Sequence, residues 1–245
     1  MEALLGQAES VFRTWQPRWS SFISAPLREE AMRILKPLNN LHWNSDGGYP
    51  GAERKRLQCI RYEDEIPIIE EPAPIQGIEM AGNFLFDKAS PNDFRQSLEA
   101  IGVPASGIGD IWIRGDRGAQ AICTPEVAKI FDGSICNVRD IQIRCEILNA
   151  KELQLPIQRL SKRLKTVEAS TRLDAIASAG FGLSRAKIVN QIKEGRLRLN
   201  WKVVNQAGKE LTVGDRVQLE QKGAIEVLNL ELTKRHRWKV ELLRY

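Results

Sequence analysis

Apolar and polar positions divide the chain into three stretches of different character. Over residues 1–74, Phe12, Trp15, Trp19 and Phe22 supply apolar bulk to a helical beginning, and 26–38 reads as a helix opened by Pro26, whose fixed φ suits a first helical turn. The run Asn44-Ser45-Asp46-Gly47-Gly48-Tyr49-Pro50-Gly51 is a dense turn signal. Ala52-Glu53-Arg54-Lys55-Arg56 and an alternating strand from Leu57 to Tyr62 follow it. The acidic, proline-bearing segment 63–74 reads as a linker.

Residues 75–157 alternate between the two periods. Strands are predicted at 75–81, 109–114, 118–123 and 138–148, with helices at 91–101 and 125–132. That βαββαβ order is the ferredoxin-like one, which buries one sheet face beneath two helices and leaves the other open. Trp112 is the aromatic that could serve base stacking on such a face, and a core or interface position is the better reading of it.

Residues 158–245 form the third unit. Thr171 with Asp174 makes a capping-box pattern for a short helix starting at 172, carried by Leu173, Ile176 and Ala177 and broken at Gly180-Phe181-Gly182-Leu183. Ser184 is placed to cap a second helix whose buried stripe is Ile188, Val189 and Ile192, and Gly195 ends it. In Arg196-Leu197-Arg198-Leu199-Asn200 the leucines face inward, so Arg196, Arg198 and Asn200 share the outer face. A strand from Arg216 to Leu219 and a hairpin of 225–232 with 236–243 complete an α+β chain.

Charge sharpens this division. Residues 1–158 carry 17 Lys+Arg against 22 Asp+Glu, a balance of −5, whereas 159–245 carry 19 against 9, a balance of +10. The densest stretch, 159–202, holds Arg159, Lys162, Arg163, Lys165, Arg172, Arg185, Lys187, Lys193, Arg196, Arg198 and Lys202 against three acids, Glu168, Asp174 and Glu194. Such asymmetry calls for an anionic partner of the C-terminal part, nucleic acid first and an acidic membrane surface second. The N-terminal turn of the second helix adds unpaired N–H groups and a partial positive charge, so Ser184, Arg185 and Lys187 make a phosphate seat. With Arg172, Lys193, Arg196, Arg198, Asn200 and Lys202 on the same side, the result would be a continuous basic surface suited to the backbone and shape of a folded RNA. Arg54, Lys55 and Arg56 form a secondary candidate contact at an exposed turn.

Other chemistries find little support. Cys59, Cys123, Cys136 and Cys145 stand 64, 13 and 9 residues apart, without the close pair that grips zinc, and read as buried reduced thiols. His42 and His236 lack sequence neighbours suited to metal binding or acid–base work, so neither a metal, a cofactor nor a catalytic constellation is expected. Gly47 and Gly48 suit positive φ better than a phosphate loop, since no Gly-Lys-Ser/Thr follows. Runs such as Ile66-Pro67-Ile68-Ile69 are far too short to cross a bilayer, and the N-terminus has no basic lead or apolar stretch, so no membrane insertion and a cytoplasmic location are expected.

Arg172-Leu173-Asp174, Ser184-Arg185-Ala186-Lys187, Ile192 to Asn200 and Val213-Gly214-Asp215-Arg216-Val217 together resemble the RNA-binding module named after ribosomal protein S-four, over about 50 residues. Asn200-Trp201 stands where the wider family commonly has an Asn-Gly turn. With Gly47-Gly48-Tyr49-Pro50-Gly51-Ala52-Glu53-Arg54, Gly109-Asp110-Ile111 and the end from Leu232-Thr233-Lys234 to Arg244-Tyr245, the chain is similar to the photosystem II S-four domain proteins of bacteria and plastids. The Gram-positive relatives of that family are cell-division-associated RNA-binding proteins linked to rescue of stalled large ribosomal subunits. The resemblance implies ribosomal RNA or tRNA as ligand, the large subunit as partner and no catalysis. The family's His-Arg or Ser-Arg pair near 91–98 and its Arg before Gly-Asp-Ile are absent here, where Pro91-Asn92-Asp93-Phe94-Arg95 and Val103-Pro104-Ala105-Ser106-Gly107 stand.

Two further readings are weaker. An RNA-modifying enzyme would use the same module to deliver substrate; Asp174 sits in an Arg-Leu-Asp context like that of pseudouridine synthases, yet no second catalytic motif accompanies it. An assembly factor, near the thylakoid as the family name suggests, would instead bind a protein partner through residues 1–158.

Overall fold

The computed structural model describes residues 1–63, 68–149, 151–156, 161–219 and 222–245. Part of the 63–74 linker, the Ile66-Pro67 half of the short apolar run, the boundary expected at 157/158 and Arg159 lie outside the described residues. The chain divides into two compact units, 1–158 and 159–245.

In the first unit, α1 (Glu2–Thr14), β1 (Arg18–Trp19), α2 (Ala25–Leu35), β2 (Leu41–Asp46) and β3 (Arg56–Arg61) come first. Ser24 is the N-cap of α2 and Pro26 stands in its first turn, as the fixed φ of proline favours. The strands form a sheet in the order β1-β3-β2. Strand β2 runs into the stretch whose composition reads as a turn, because Asn44, Ser45 and Asp46 pair with Gln58, Leu57 and Arg56; the turn starts only at Gly47. The core here contains Leu4, Ala8, Val11, Ala31, Leu35, Leu57 and Cys59. Phe12 and Trp15, expected as apolar bulk, are instead 48% and 44% exposed, and the Arg61 guanidinium lies 4.2 and 3.8 Å from their ring centroids. Trp19 belongs to β1.

A second sheet follows in the same unit: β4 (Gln76–Ala81), α3 (Pro91–Ala100), β5 (Ile108–Ile113), β6 (Gly118–Cys123), α4 (Pro125–Phe131), β7 (Ile135–Val138) and β8 (Ile141–Leu148). The order β5-β6-β4-β8-β7, with antiparallel neighbours, is the ferredoxin-like topology plus one edge strand. The strand expected at 138–148 is thus a hairpin, turned at Arg139 with φ 55°. Phe94, Leu98, Val127 and Phe131 bury the helices against Ile78, Met80, Ile143 and Cys145.

The other face of that sheet is not open. Phe22, Trp112 and Ile122 form a second apolar cluster with Tyr49, Ile75 and Leu153, so the two sheets on either side of residue 74 share one compact unit. Glycines permit this closure: a Cβ on Gly77 would come within 2.8 Å of Leu153, and one on Gly109 within 2.8 Å of Phe22. The Trp112 indole N–H donates to the Gln154 carbonyl at 2.9 Å, and its ring meets Tyr49 edge-on at 5.8 Å. Trp112 is a core residue.

The second unit comprises β9 (Lys162–Glu168), α5 (Leu173–Phe181), α6 (Arg185–Lys193), β10 (Leu197–Leu199), β11 (Lys202–Val203), β12 (Arg216–Leu219), β13 (Gly223–Leu232) and β14 (Trp238–Arg244). Its sheet runs β11-β10-β12-β13-β14-β9. Leu173, Ile176, Phe181, Ile188 and Ile192 of the helices pack on Leu197, Leu199, Val217, Ile225, Val240 and Leu242. Strand β9, which nothing local announces, pairs with β14 from Lys162↔Arg244 to Glu168↔Trp238. Among the described residues no helix is long and apolar enough to cross a membrane.

Candidate nucleic-acid interface

The start of α6 is built as its spacing suggests. The Ser184 hydroxyl accepts the Lys187 N–H at 3.3 Å, satisfying one of the orphan donors of the first turn. Ser184, Arg185 and Lys187 are exposed around that turn. Glu168 lies 3.8 Å from Arg185, a loose contact that leaves its charge largely to solvent. Lys193 is exposed in the last turn, where a cation complements the helix dipole.

The start of α5 differs from expectation. The helix begins at Leu173, so Arg172 is its N-cap residue and makes no side-chain cap; the Thr171–Asp174 capping box does not form. Asp174, 6% exposed, receives the Arg172 guanidinium instead, Nε to Oδ1 at 3.0 Å and Nη2 to Oδ2 at 3.1 Å. This hydrogen bonding raises the Arg172 pKa. The two-point contact consumes two of the five donors on Arg172, whose side chain is 48% exposed. Asp174→Ala is expected to destabilise the second unit, by less than the loss of a fully buried pair would, because water can solvate the released guanidinium. Urea unfolding of the variant, followed by hydrogen exchange of the core amides of the second unit, would measure it; an unchanged unfolding midpoint would assign the pair to the surface.

One continuous basic surface does not result. Leu197 and Leu199 enter the helix-side core, so alternation turns Arg198 to the opposite sheet face, beside Gln218. Arg196 precedes the strand and lines a cleft of about 390 Å³ together with Lys187 of α6. Lys222 lines it as well, a residue absent from the sequence-based set because only the β12–β13 turn carries it there. Lys202 is exposed in β11. Arg198 therefore lies on the other sheet face from the α6 group.

Asn200 is taken up by the fold. Its Nδ2 donates to Asp215 Oδ1 at 2.7 Å and its Oδ1 accepts the Arg216 N–H at 2.9 Å, so both ends of the amide are engaged. Asn200 and Trp201 have φ of 47° and 69° between the paired Leu199 and Lys202, the geometry of a two-residue type I′ hairpin. Trp201 thus adopts the conformation that glycine usually supplies, with the Arg216 guanidinium 4.5 Å from its ring centroid.

The secondary candidate contact at 54–56 is also corrected. Arg56 is 9% exposed and donates through Nε to the Ser20 carbonyl at 2.7 Å and through Nη1 to the Pro74 carbonyl. Arg54 donates through Nε to the Ile108 carbonyl at 2.9 Å and through Nη2 to that of Ala105 at 3.2 Å. Burial lowers both guanidinium pKa values, against the attraction of Asp110 on Arg54 and Glu126 on Arg56. Lys55 is partly buried, and its backbone bridges Ile23. These guanidinium groups tie the first unit together.

Asp110 completes that joint. Its carboxylate accepts the Tyr49 O–H at 2.8 Å and the N–H groups of Glu53 and Arg54 at 2.7 and 2.9 Å. Burial raises the Tyr49 pKa, and the adjacent Asp110 charge adds to the effect. The Gly47–Arg54 and Gly109-Asp110-Ile111 motifs therefore meet in a structural contact. His42, without a suitable sequence neighbour, meets Glu70 at 2.7 Å. Burial lifts the Cys59 and Cys123 thiols to about 12, and all four cysteines are unbridged.

Comparison with known proteins adds independent findings. Residues 171–217 match the S4 domain, and residues 1–63 match the family described as YlmH, N-terminal. The chain is 26% identical over 195 residues to the ribosome-associated protein quality control protein P2 of Bacillus subtilis, covering 79% of this chain and 74% of that protein. A solved structure, the cell division protein ylmH from Streptococcus pneumoniae, aligns at 19% identity with a TM-score of 0.46 over 60% of this chain and 88% of that one. The chain thus carries an S4 domain in its C-terminal unit, and its first 63 residues are homologous to the N-terminal region of the YlmH family.

Proposed function

We propose that this protein is a non-catalytic RNA-binding protein of the ribosome, holding structured ribosomal RNA or tRNA by backbone and shape. The observation that carries the reading is the gathering of Lys187, Arg196 and Lys222 around one cleft beside the N-terminal turn of α6, within and just beyond the span that matches the S4 domain. Three cations and a helix dipole serve phosphate well and read no sequence by themselves. The similarity to a protein named for ribosome-associated quality control supports placing that RNA on the ribosome. We take the large subunit in the cytoplasm as the partner, and the acidic unit 1–158 as the part that faces protein.

Sedimentation of the tagged full chain from lysate through sucrose gradients at low and high salt, with sequencing of crosslinked RNA, tests this reading. Salt-sensitive comigration with large subunits and crosslinks within 172–222 are expected. Residence at the top of the gradient without enriched RNA would overturn it.

A further inference from the structure

We propose that the cleft between α6 and the β10–β12 side of the sheet receives one unpaired nucleotide of the bound RNA, turned out from its strand; this rests on the RNA-binding reading and specifies its ligand. The first argument is the chemistry of the walls. Lys187 with Asn190 and Gln191, and these two with Glu194 at the C-cap, are three or four residues apart, so one stripe of α6 lines the cleft while Ile188 and Ile192 on another face are buried. A merely solvated helix face would have no facing wall. Here Arg196, Leu219 and Lys222 supply one.

Each class of group in the cleft suits a different part of a nucleotide. The three cations suit its phosphate and those beside it. Asn190 and Gln191 carry amides, the side-chain type that pairs donor and acceptor with a base edge. Leu183, half-buried at the entry to α6, gives the apolar surface that a base ring covers, above the buried Leu219. The single carboxylate, Glu194, accepts Gln191 Nε2 at 3.3 Å and lies 3.4 Å from Arg196 Nε, so it offsets one of the three cations and leaves the lining net positive. Those two contacts orient the Gln191 amide and the Arg196 guanidinium at the rim.

Size is the second argument. A space of about 390 Å³ falls within the range of small-molecule sites, roughly 300–1,000 Å³, and exceeds what a bare phosphate contact requires. A base that is already unpaired in the RNA is the least costly to place there, since no pair has to be broken.

The test uses the full chain and two synthetic RNA stems, identical except for a single-nucleotide bulge. The wild type is expected to bind the bulged stem about tenfold more tightly, the discrimination of one good base contact. Asn190→Ala/Gln191→Ala should reduce the preference to less than about twofold while leaving the salt dependence of binding unchanged, since neither residue is charged. Neither side chain is buried in the core and alanine favours the helix, so the variant folds; circular dichroism checks this. Titration with nucleoside 5′-monophosphates should shift the side-chain amide resonances of Asn190 and Gln191 further than inorganic phosphate does. Equal wild-type affinity for both stems, a preference that survives in the double variant, or equal shifts with phosphate alone would each overturn the inference and leave RNA binding intact. Binding to neither stem, and to no ribosomal RNA, would remove the RNA-binding reading itself.

Discussion

Asp110→Ala is expected to destabilise the first unit by about 3–4 kcal/mol. Its carboxylate is the acceptor for three donors that have come together from a distant loop, the Tyr49 O–H and the N–H groups of Glu53 and Arg54. Hydrogen bonds to a charged acceptor contribute about 1.5–3 kcal/mol each, and the sum is discounted because the Glu53 N–H lies near solvent. Tyr49 would lose its anchor against Trp112, loosening the cluster that closes the second sheet face. Asp110→Asn keeps one acceptor oxygen and should cost about half as much. Chemical denaturation, read with hydrogen exchange at residues 53 and 54, measures both variants. RNA affinity at a temperature where the variants remain folded should be unchanged; a large loss of affinity without loss of stability would make Asp110 part of the interface.

The triple substitution Arg185→Ala/Lys187→Ala/Arg196→Ala is expected to lower the slope of log K against log salt by about 3 and to weaken structured RNA of any sequence alike. Each cation that neutralises a phosphate releases roughly one counterion, so each removed contact subtracts about 1 from the slope. All three side chains are exposed and none supports the core, so stability should hold. Fluorescence anisotropy with one labelled RNA over a range of salt reads the effect. An unchanged slope would move the interface away from α6 and toward the other sheet face that carries Arg198.

The two substitutions separate what local sequence announces from what it conceals. The helix starts of α2 and α6, the ferredoxin-like strand order and the inward leucines of β10 follow from proline, serine and side-chain period, which act over a few residues. A local pattern can still mislead when a competing partner is near. Thr171 and Asp174 have capping-box spacing, but Arg172 takes the carboxylate, whereas Ser90 and Asp93 of α3 form a complete box.

The S4-like unit, the basic character of 159–245 and the capped start of α6 at Ser184, with Arg185 and Lys187 exposed in its first turn, were determined by the sequence alone, because capping, helical period and net charge are set within one segment. Tertiary structure decided the rest, through partners far apart in the chain. It drew β9 onto β14, covered the second sheet face with Phe22 and Leu153, turned Arg54 and Arg56 inward to distant carbonyls, engaged Asn200 at both ends, and set Lys222 opposite Lys187. An arginine in a turn has the same local sequence whether its guanidinium meets water or a buried carbonyl, and only the packing of remote strands distinguishes them.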